Sequence, residues 1–78
     1  MIRVFKHIKR FSDNTEYVVL VNDDWRGTIG KDKIFHPLPQ SIFNSIPLSK
    51  ALEFTDKGLW EEVNLLELQE YWELFKTL

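Results

Sequence analysis

Histidine is the first residue type to consider for chemistry, because the imidazole ring binds metal ions and carries protons near neutral pH. The chain has two histidines, His7 and His36, and each stands alone in the sequence. Metal-binding motifs place two histidines at a short fixed spacing, and no such pair occurs. The absence of cysteine excludes disulfides and thiolate chemistry. The sequence therefore predicts no metal site.

The other residue types that support catalysis are also scattered. None of the four serines lies in the Gly-x-Ser-x-Gly pattern of an activated nucleophile. The stretch from Gly27 to Lys31 is too short for a phosphate-binding loop and does not lead into a helix. Glu61 and Glu62 are neighbours, so in a strand they point to opposite faces and cannot act as a catalytic pair. We expect no enzyme activity and no cofactor.

Size and composition predict one small folded domain, which we place at residues 1–78. Hydrophobic residues make up 44% of the chain and charged residues 28%, a balance typical of globular rather than disordered proteins. No segment approaches the ~20 apolar residues of a membrane span, and the first residues lack the apolar run of a signal peptide. We therefore expect a cytoplasmic protein that does not contact membranes.

Charge is unevenly distributed, although the net charge is only −2. Residues 1–10 carry four cations and no acid, whereas residues 53–78 carry seven acids and two lysines. A basic sheet face with exposed aromatic rings can bind single-stranded nucleic acid by charge and stacking. This alternative function would use cations of the N-terminal half, namely Arg3, Lys6, Lys9, Arg10, Lys31 and Lys33. The negative total charge weighs against it.

Hydrophobic patterning predicts an N-terminal β-hairpin. Residues 2–11 place Ile, Val and Phe between Lys and Arg, which indicates a first strand. Residues 16–22 indicate a second strand, in which positions 17–21 are all apolar, odd and even alike, as in a central strand covered on both faces. Residues 25–35 predict a third strand that is bent or broken at Gly27 or Gly30. The prolines that follow it cannot continue a central strand.

Residues 40–63 are compatible with two structures. Residues 51–54 either belong to a helix that begins at Pro47 or form a strand that turns at Gly58. In the second case residues 59–63 return as the partner strand, with Gly58 in the left-handed position of a hairpin loop. We favour the hairpin.

The C-terminal residues predict an amphipathic helix over 65–77. Asn64 is a preferred N-cap residue, and Glu67 follows three positions later, as in a capping box. The segment is rich in helix formers and contains neither Gly nor Pro. The predicted fold class is therefore α+β. It consists of a small antiparallel sheet, made of the N-terminal hairpin and one to three further short strands, packed by this C-terminal amphipathic helix.

The apolar arc of this helix is the feature most informative about function. At about 100° per residue its apolar side chains cover roughly 180°, whereas a helix on one sheet needs only about 100°. The arc therefore predicts a second contact, made either by residues 36–54 of the same chain or by another protein. Leu65 and Trp72 lie at one border of the arc and Leu74 at the other, and Leu66 stands alone among polar residues that include Glu73.

Trp25 and Arg26 form a second candidate site, because a large aromatic ring beside a guanidinium can anchor a protein partner. Trp25 and Trp60 equally suit the core of a small protein. The sequence thus predicts a non-catalytic protein-interaction module, an adaptor, immunity-type or inhibitor protein of the size of phage or bacterial accessory proteins. Its partner is another protein or a second copy. The predicted binding residues are Leu65, Leu66, Trp72, Glu73, Trp25 and Arg26.

Overall fold

A computed structural model of the protein describes residues 1–8, 14–38 and 48–78. These residues form a five-stranded antiparallel sheet with strand order β4-β3-β2-β1-β5 and helical segments on both faces. The strands are β1 Ile2–His7, β2 Thr15–Val21, β3 Asp24–Gly30, β4 Phe35–Pro37 and β5 Trp60–Val63. The helical elements are α1 Leu48–Asp56, a 3₁₀ helix Leu65–Tyr71 and α2 Trp72–Thr77. The predicted α+β class is confirmed.

The N-terminal hairpin forms as predicted. Strands β1 and β2 pair antiparallel from Ile2 opposite Val21 to Lys6 opposite Tyr17. β2 is buried at its last four positions, as expected of a strand covered on both faces. A two-residue turn then leads into β3, and both of its residues, Asn and Asp, have the positive φ angles that such tight hairpin turns require.

The predicted third strand is divided at Gly30 into β3 and β4. Lys33 has a φ of 66°, and its N–H donates to the carbonyl of Gly30, which closes a short loop between the two strands. Gly27 permits β4 to approach β3 closely, since a Cβ at this position would lie 2.6 Å from the carbonyl oxygen of His36. β4 is an edge strand that ends at Pro37, in agreement with the missing N–H of proline.

The predicted hairpin across residues 51–63 is wrong, and the helix alternative is correct. Residues 51–54 belong to α1, which ends in a Schellman motif. In this motif the N–H of Leu59 donates to the carbonyl of Phe54, and the N–H of Gly58 donates to that of Thr55, each at 3.0 Å. Gly58 has the predicted left-handed conformation, with φ of 74°, but it ends a helix instead of joining two strands.

The sheet separates two apolar clusters. On one face, which we call the front, Val4, Val19 and Ile29 pack against the C-terminal segment of residues 65–77. On the back, Phe5 and the neighbouring strands pack against α1 and Trp60. Adjacent residues of β1 thus serve opposite clusters, as the pleat of a strand requires. Trp60 is a core residue, only 8% exposed, and its ring stacks on His7 at a centroid distance of 5.1 Å.

Candidate functional site

The C-terminal segment begins at the predicted cap but is not a regular α-helix. The side chain of Asn64 accepts a hydrogen bond from the N–H of Leu66 at 3.0 Å, so the predicted N-cap is confirmed. The residues that follow form a 3₁₀ helix, interrupted at Leu68 by the non-helical angles φ −116° and ψ 36°. Only from Trp72 does the chain become α-helical. The prediction of one continuous α-helix is therefore wrong over its first half.

The side chains of the segment fall into three stripes of residues spaced three apart, as the three residues per turn of the 3₁₀ helix favour. The last two exposed members, Trp72 and Glu73, are the first residues of α2. The core stripe faces the sheet and contains Leu65, Leu68 and Tyr71. The other two stripes are exposed apart from the partly covered Trp72 ring. We call them the apolar stripe, which consists of Leu66, Gln69 and Trp72, and the acidic stripe, which consists of Glu67, Glu70 and Glu73.

The apolar stripe leaves two large hydrophobic side chains in solvent. Leu66 is 66% exposed and Trp72 is 46% exposed. Together with Gln69 these side chains line a groove of ≈ 280 Å³. Trp72 also borders an adjoining groove of ≈ 620 Å³, whose walls include Ile2, Val21 and Phe75. Trp72 therefore lines both grooves.

The acidic stripe is only loosely paired with cations. The Nζ atom of Lys33 lies 3.3 Å from Glu70, and that of Lys76 lies 3.4 Å from Glu73, with all four side chains more than half exposed. Among the described residues, the carboxylate of Glu67 forms no salt bridge. Exposed ion pairs contribute little stability and exchange readily. The stripe therefore keeps much of its negative charge.

Two tyrosines respond to this charge. Burial is the main cause that raises the pKa of Tyr17, and the carboxylates of Glu16, Glu70 and Glu67 raise it further. Burial likewise raises the pKa of Tyr71, with Glu70 as the next cause. Their rings meet edge to face at a centroid distance of 6.2 Å. The negative field of the acidic stripe thus extends onto the front of the sheet at β2.

The four partner-binding residues predicted on this segment separate into two groups. Leu65 is half-buried and packs against the front cluster, so it serves the core. Leu66, Trp72 and Glu73 are exposed, on adjoining stripes of the same surface. Of the predicted arc, Leu65 and Leu74 pack against the front cluster, whereas Trp72 at its border is partly exposed. Residues 36–54 were the alternative to a partner as the second contact of the arc. Their helical part, residues 48–54, lies on the back of the sheet.

Trp25 and Arg26 do not join this surface. The Trp25 ring packs against the back cluster, and its Nε1–H donates to the carbonyl of Gly27 at 2.9 Å, which supports the core interpretation of this residue. Arg26 is exposed and is the extra residue of a β-bulge opposite Val19 and Leu20. The back of the sheet and the C-terminal segment are thus separate surfaces, and the structure does not bring Trp25 and Trp72 together.

The cations of β1 do not form one basic face. Arg3 binds Glu62 of β5 through two hydrogen bonds of 2.8 and 2.7 Å, on the back of the sheet. This contact raises the pKa of Arg3, and it lowers the pKa of Glu62. Lys6 has the opposite parity, on the front, and pairs in register with Glu61. Each of these cations therefore has an acidic neighbour on β5.

The remaining cations of the nucleic-acid alternative are also dispersed. Lys31 and Lys33 are exposed in the loop between β3 and β4, and Lys33 is paired with Glu70. Lys9 and Arg10 lie outside the described residues. The ring of Phe5, which would have to stack on a base, is 0% exposed. Within the described residues, the structure does not assemble the basic, aromatic sheet face that this function requires.

The predicted binding residues did not include Glu67, Gln69 and Glu70, although the sequence placed Gln69 and Glu70 on the polar side beside Leu66. The signal was present as a repeat of three, since Leu, Leu, Tyr and Leu recur at every third position from 65 to 74. Within the same span, glutamate recurs at every third position from 67 to 73. A period of three is that of a 3₁₀ helix, whereas we projected the segment at the α-helical 100° per residue.

No known protein family, characterised protein or solved structure matches this chain. In the described part of the chain, no helix has the length and hydrophobicity needed to cross a membrane. We therefore infer function from the exposed surface of the C-terminal segment.

Proposed function

We propose that this protein is a non-catalytic interaction module, an adaptor, immunity-type or inhibitor protein, that binds a partner protein through the apolar stripe. The observation that carries the proposal is the exposure of Leu66 and Trp72, at 66% and 46%, beside two grooves that Trp72 lines. Clustered exposed hydrophobic side chains on a small protein mark interaction sites. Tryptophan in particular is enriched among the residues that dominate binding energy.

The support beneath this surface is rigid, which favours binding. The core stripe fixes the segment to the front of the sheet, because Leu68 is 2% exposed and Tyr71 and Phe75 are each 7% exposed. The Asn64 cap fixes where the segment begins. A partner would therefore meet the indole of Trp72 in a defined position and would lose little conformational entropy on the protein side.

The test compares the proteins captured from a lysate of the native cell by matched variants. The site variant carries Leu66→Ser and Trp72→Ser. The control variant carries Ile34→Ser and Leu52→Ser, which remove two hydrophobic side chains of similar exposure, 56% and 40%, elsewhere on the surface. We expect a protein that is retained by the wild type and the control and lost by the site variant.

The captured protein is then purified, and its affinity for each variant is measured by calorimetry. We expect the site variant to bind at least ~30-fold more weakly, as for the loss of a tryptophan hot spot. The proposal is wrong if folded wild type and site variant bind the same proteins with equal affinity. Retention on heparin that falls steeply with salt would instead favour the nucleic-acid alternative.

A further inference from the structure

The chemistry of the partner is indicated by what borders the apolar stripe. Each residue of the apolar stripe is followed in the sequence by a glutamate of the acidic stripe, so an exposed carboxylate adjoins each of Leu66, Gln69 and Trp72. The side chain of Glu73 is 90% exposed, and Glu67 and Glu70 are also exposed. A partner that covers Leu66 and Trp72 must therefore approach three carboxylates at the border of the groove.

These carboxylates remain available to a partner. The two cations near them, Lys33 and Lys76, form exposed pairs at 3.3 and 3.4 Å, and Glu67 has no salt bridge among the described residues. Such pairs are weak enough to be replaced by cations of a partner. Charge complementarity at the rim of an apolar contact determines which partners bind and how fast they associate.

A second copy of the chain does not supply that complementarity. A two-fold contact presents the same patch on both sides, so each apolar stripe would be bordered by an acidic stripe. The cations that adjoin the patch, Lys33 and Lys76, already face Glu70 and Glu73 of their own copy, so each patch carries one more acid than cations. Like charges across an interface are unfavourable.

We propose, as an extension of the proposed function, that the partner is a protein bearing a basic amphipathic segment. Its aliphatic or aromatic side chains occupy the groove between Leu66, Gln69 and Trp72. Its lysine or arginine side chains face Glu67, Glu70 and Glu73. The apolar contact supplies the affinity, and the charged border selects this partner over neutral and acidic proteins.

The experiment uses three synthetic helical peptides with the same Leu and Trp anchors on one face. Their polar face consists of Lys in the first peptide, Gln in the second and Glu in the third. Binding is measured by fluorescence anisotropy at low and high salt, and the contact is mapped by amide chemical shifts of the labelled protein. We expect the Lys peptide to bind about tenfold more tightly than the Gln peptide at low salt, and the Glu peptide to bind least.

Two charge variants determine whether this preference belongs to the site. Replacement of Glu67 and Glu73 by Gln should abolish the preference for Lys over Gln peptide. The control, Glu53→Gln with Asp56→Asn, removes the same charge from α1 on the back of the sheet and should leave the preference intact. Shift changes should centre on residues 66, 69 and 72.

Equal binding of the Lys and Gln peptides, failure of the Lys peptide to bind, or loss of the preference in the α1 control would overturn the inference of a basic partner. None of these results touches the proposed function, which the capture experiment decides separately. The inference of a basic partner would also be overturned by a concentration-dependent dimer that Trp72→Ser dissociates, because the groove would then be occupied by a second copy. Shift changes outside the groove would count against the site itself.

Discussion

Leu66 and Leu68 are separated by one residue, yet their truncation should have very different effects on stability. Leu66 is 66% exposed, so only about a third of its surface is covered. Burial of a whole leucine contributes about 1.5 to 3 kcal/mol, and Leu66→Ala should therefore cost about 0.5 to 1 kcal/mol. Leu68 is 2% exposed in the front cluster. Leu68→Ala should cost about 2 to 5 kcal/mol, because it also leaves a cavity.

These differences are large relative to the stability of such a domain, about 4 to 12 kcal/mol from typical values per residue. Urea unfolding followed by circular dichroism measures them directly. With a slope near 1 kcal/mol per molar urea, Leu66→Ala should lower the midpoint by about 0.5 to 1 M. Leu68→Ala should lower it by at least about 2 M or leave the protein unfolded without denaturant.

The result for Leu66 is decisive for function as well. A loss of about 2 kcal/mol or more on Leu66→Ala would mean that this side chain is covered in solution, since only buried leucines cost so much. The apolar stripe would then not be available to a partner, and the proposed function would lose its main observation. A small loss also ensures that variants of this residue stay folded in the binding experiments.

Three further predictions concern the scaffold. Gly58→Ala should lower the free energy of unfolding by about 1 kcal/mol, because alanine is strained at the φ of 74° that Gly58 adopts, and Gly58→Asn should lower it less. Thermal melts of the two variants give the comparison, and equal losses would contradict the Schellman cap. Gly27→Ala should shift or detach β4, because its Cβ would lie 2.6 Å from the carbonyl oxygen of His36 and 2.7 Å from the Phe35 ring. Amide exchange in β4 should then accelerate, and unchanged protection would count against this packing. Arg3 lowers the pKa of Glu62, so the stabilisation is full above the unfolded pKa of about 4.3 and is lost as pH falls through the folded value. Glu62→Gln should therefore cost up to about 1 kcal/mol at pH 7 and almost nothing near pH 2, and a pH-independent difference would refute the ion pair.

The elements that local chemistry specifies were predictable. β2 is apolar on both parities, and only a central strand buries both, so its position in the sheet followed from the sequence alone. Asn64 has a side chain that accepts from the next turn, and this makes it a cap in isolation as well as in the fold. Gly58 needed a positive φ in either structure considered for residues 51–63. Its conformation could therefore be predicted, although its role could not.

The elements that tertiary contacts decide were not predictable in the same way. Residues 51–54 suit a helix or a strand, and the choice depends on where β5 finds its partner. β5 pairs with β1, from Val63 opposite Val4 to Trp60 opposite His7, and this contact spans most of the chain. β5 lies at the edge of the sheet, so its outer side is open, yet residues 51–54 do not add a sixth strand there. They cover the back cluster as a helix instead, with Ala51 fully buried.

The candidate site depended on a helical period that we assigned incorrectly. Projection at 100° placed Trp72 at a border of the apolar arc and Leu66 among Gln69, Glu70 and Glu73, so the acidic and apolar side chains overlapped on the projected surface. At three residues per turn, the same sequence places hydrophobic and acidic side chains in separate stripes. The kink at Leu68 and the front of the sheet select this period, since it directs Leu65, Leu68 and Tyr71 inward together.

The central position of β1 has a consequence for biosynthesis. Its neighbour β2 is translated soon after it, but β5 cannot pair with β1 until residue 63 has left the ribosome. During that interval one side of β1 carries unsatisfied N–H and C=O groups, which invite pairing between nascent chains. Arg3 and Lys6 lie on this strand, and before β5 is in place neither has its glutamate neighbour on that strand. We expect these charges to keep neighbouring polypeptides apart until β5 closes the sheet.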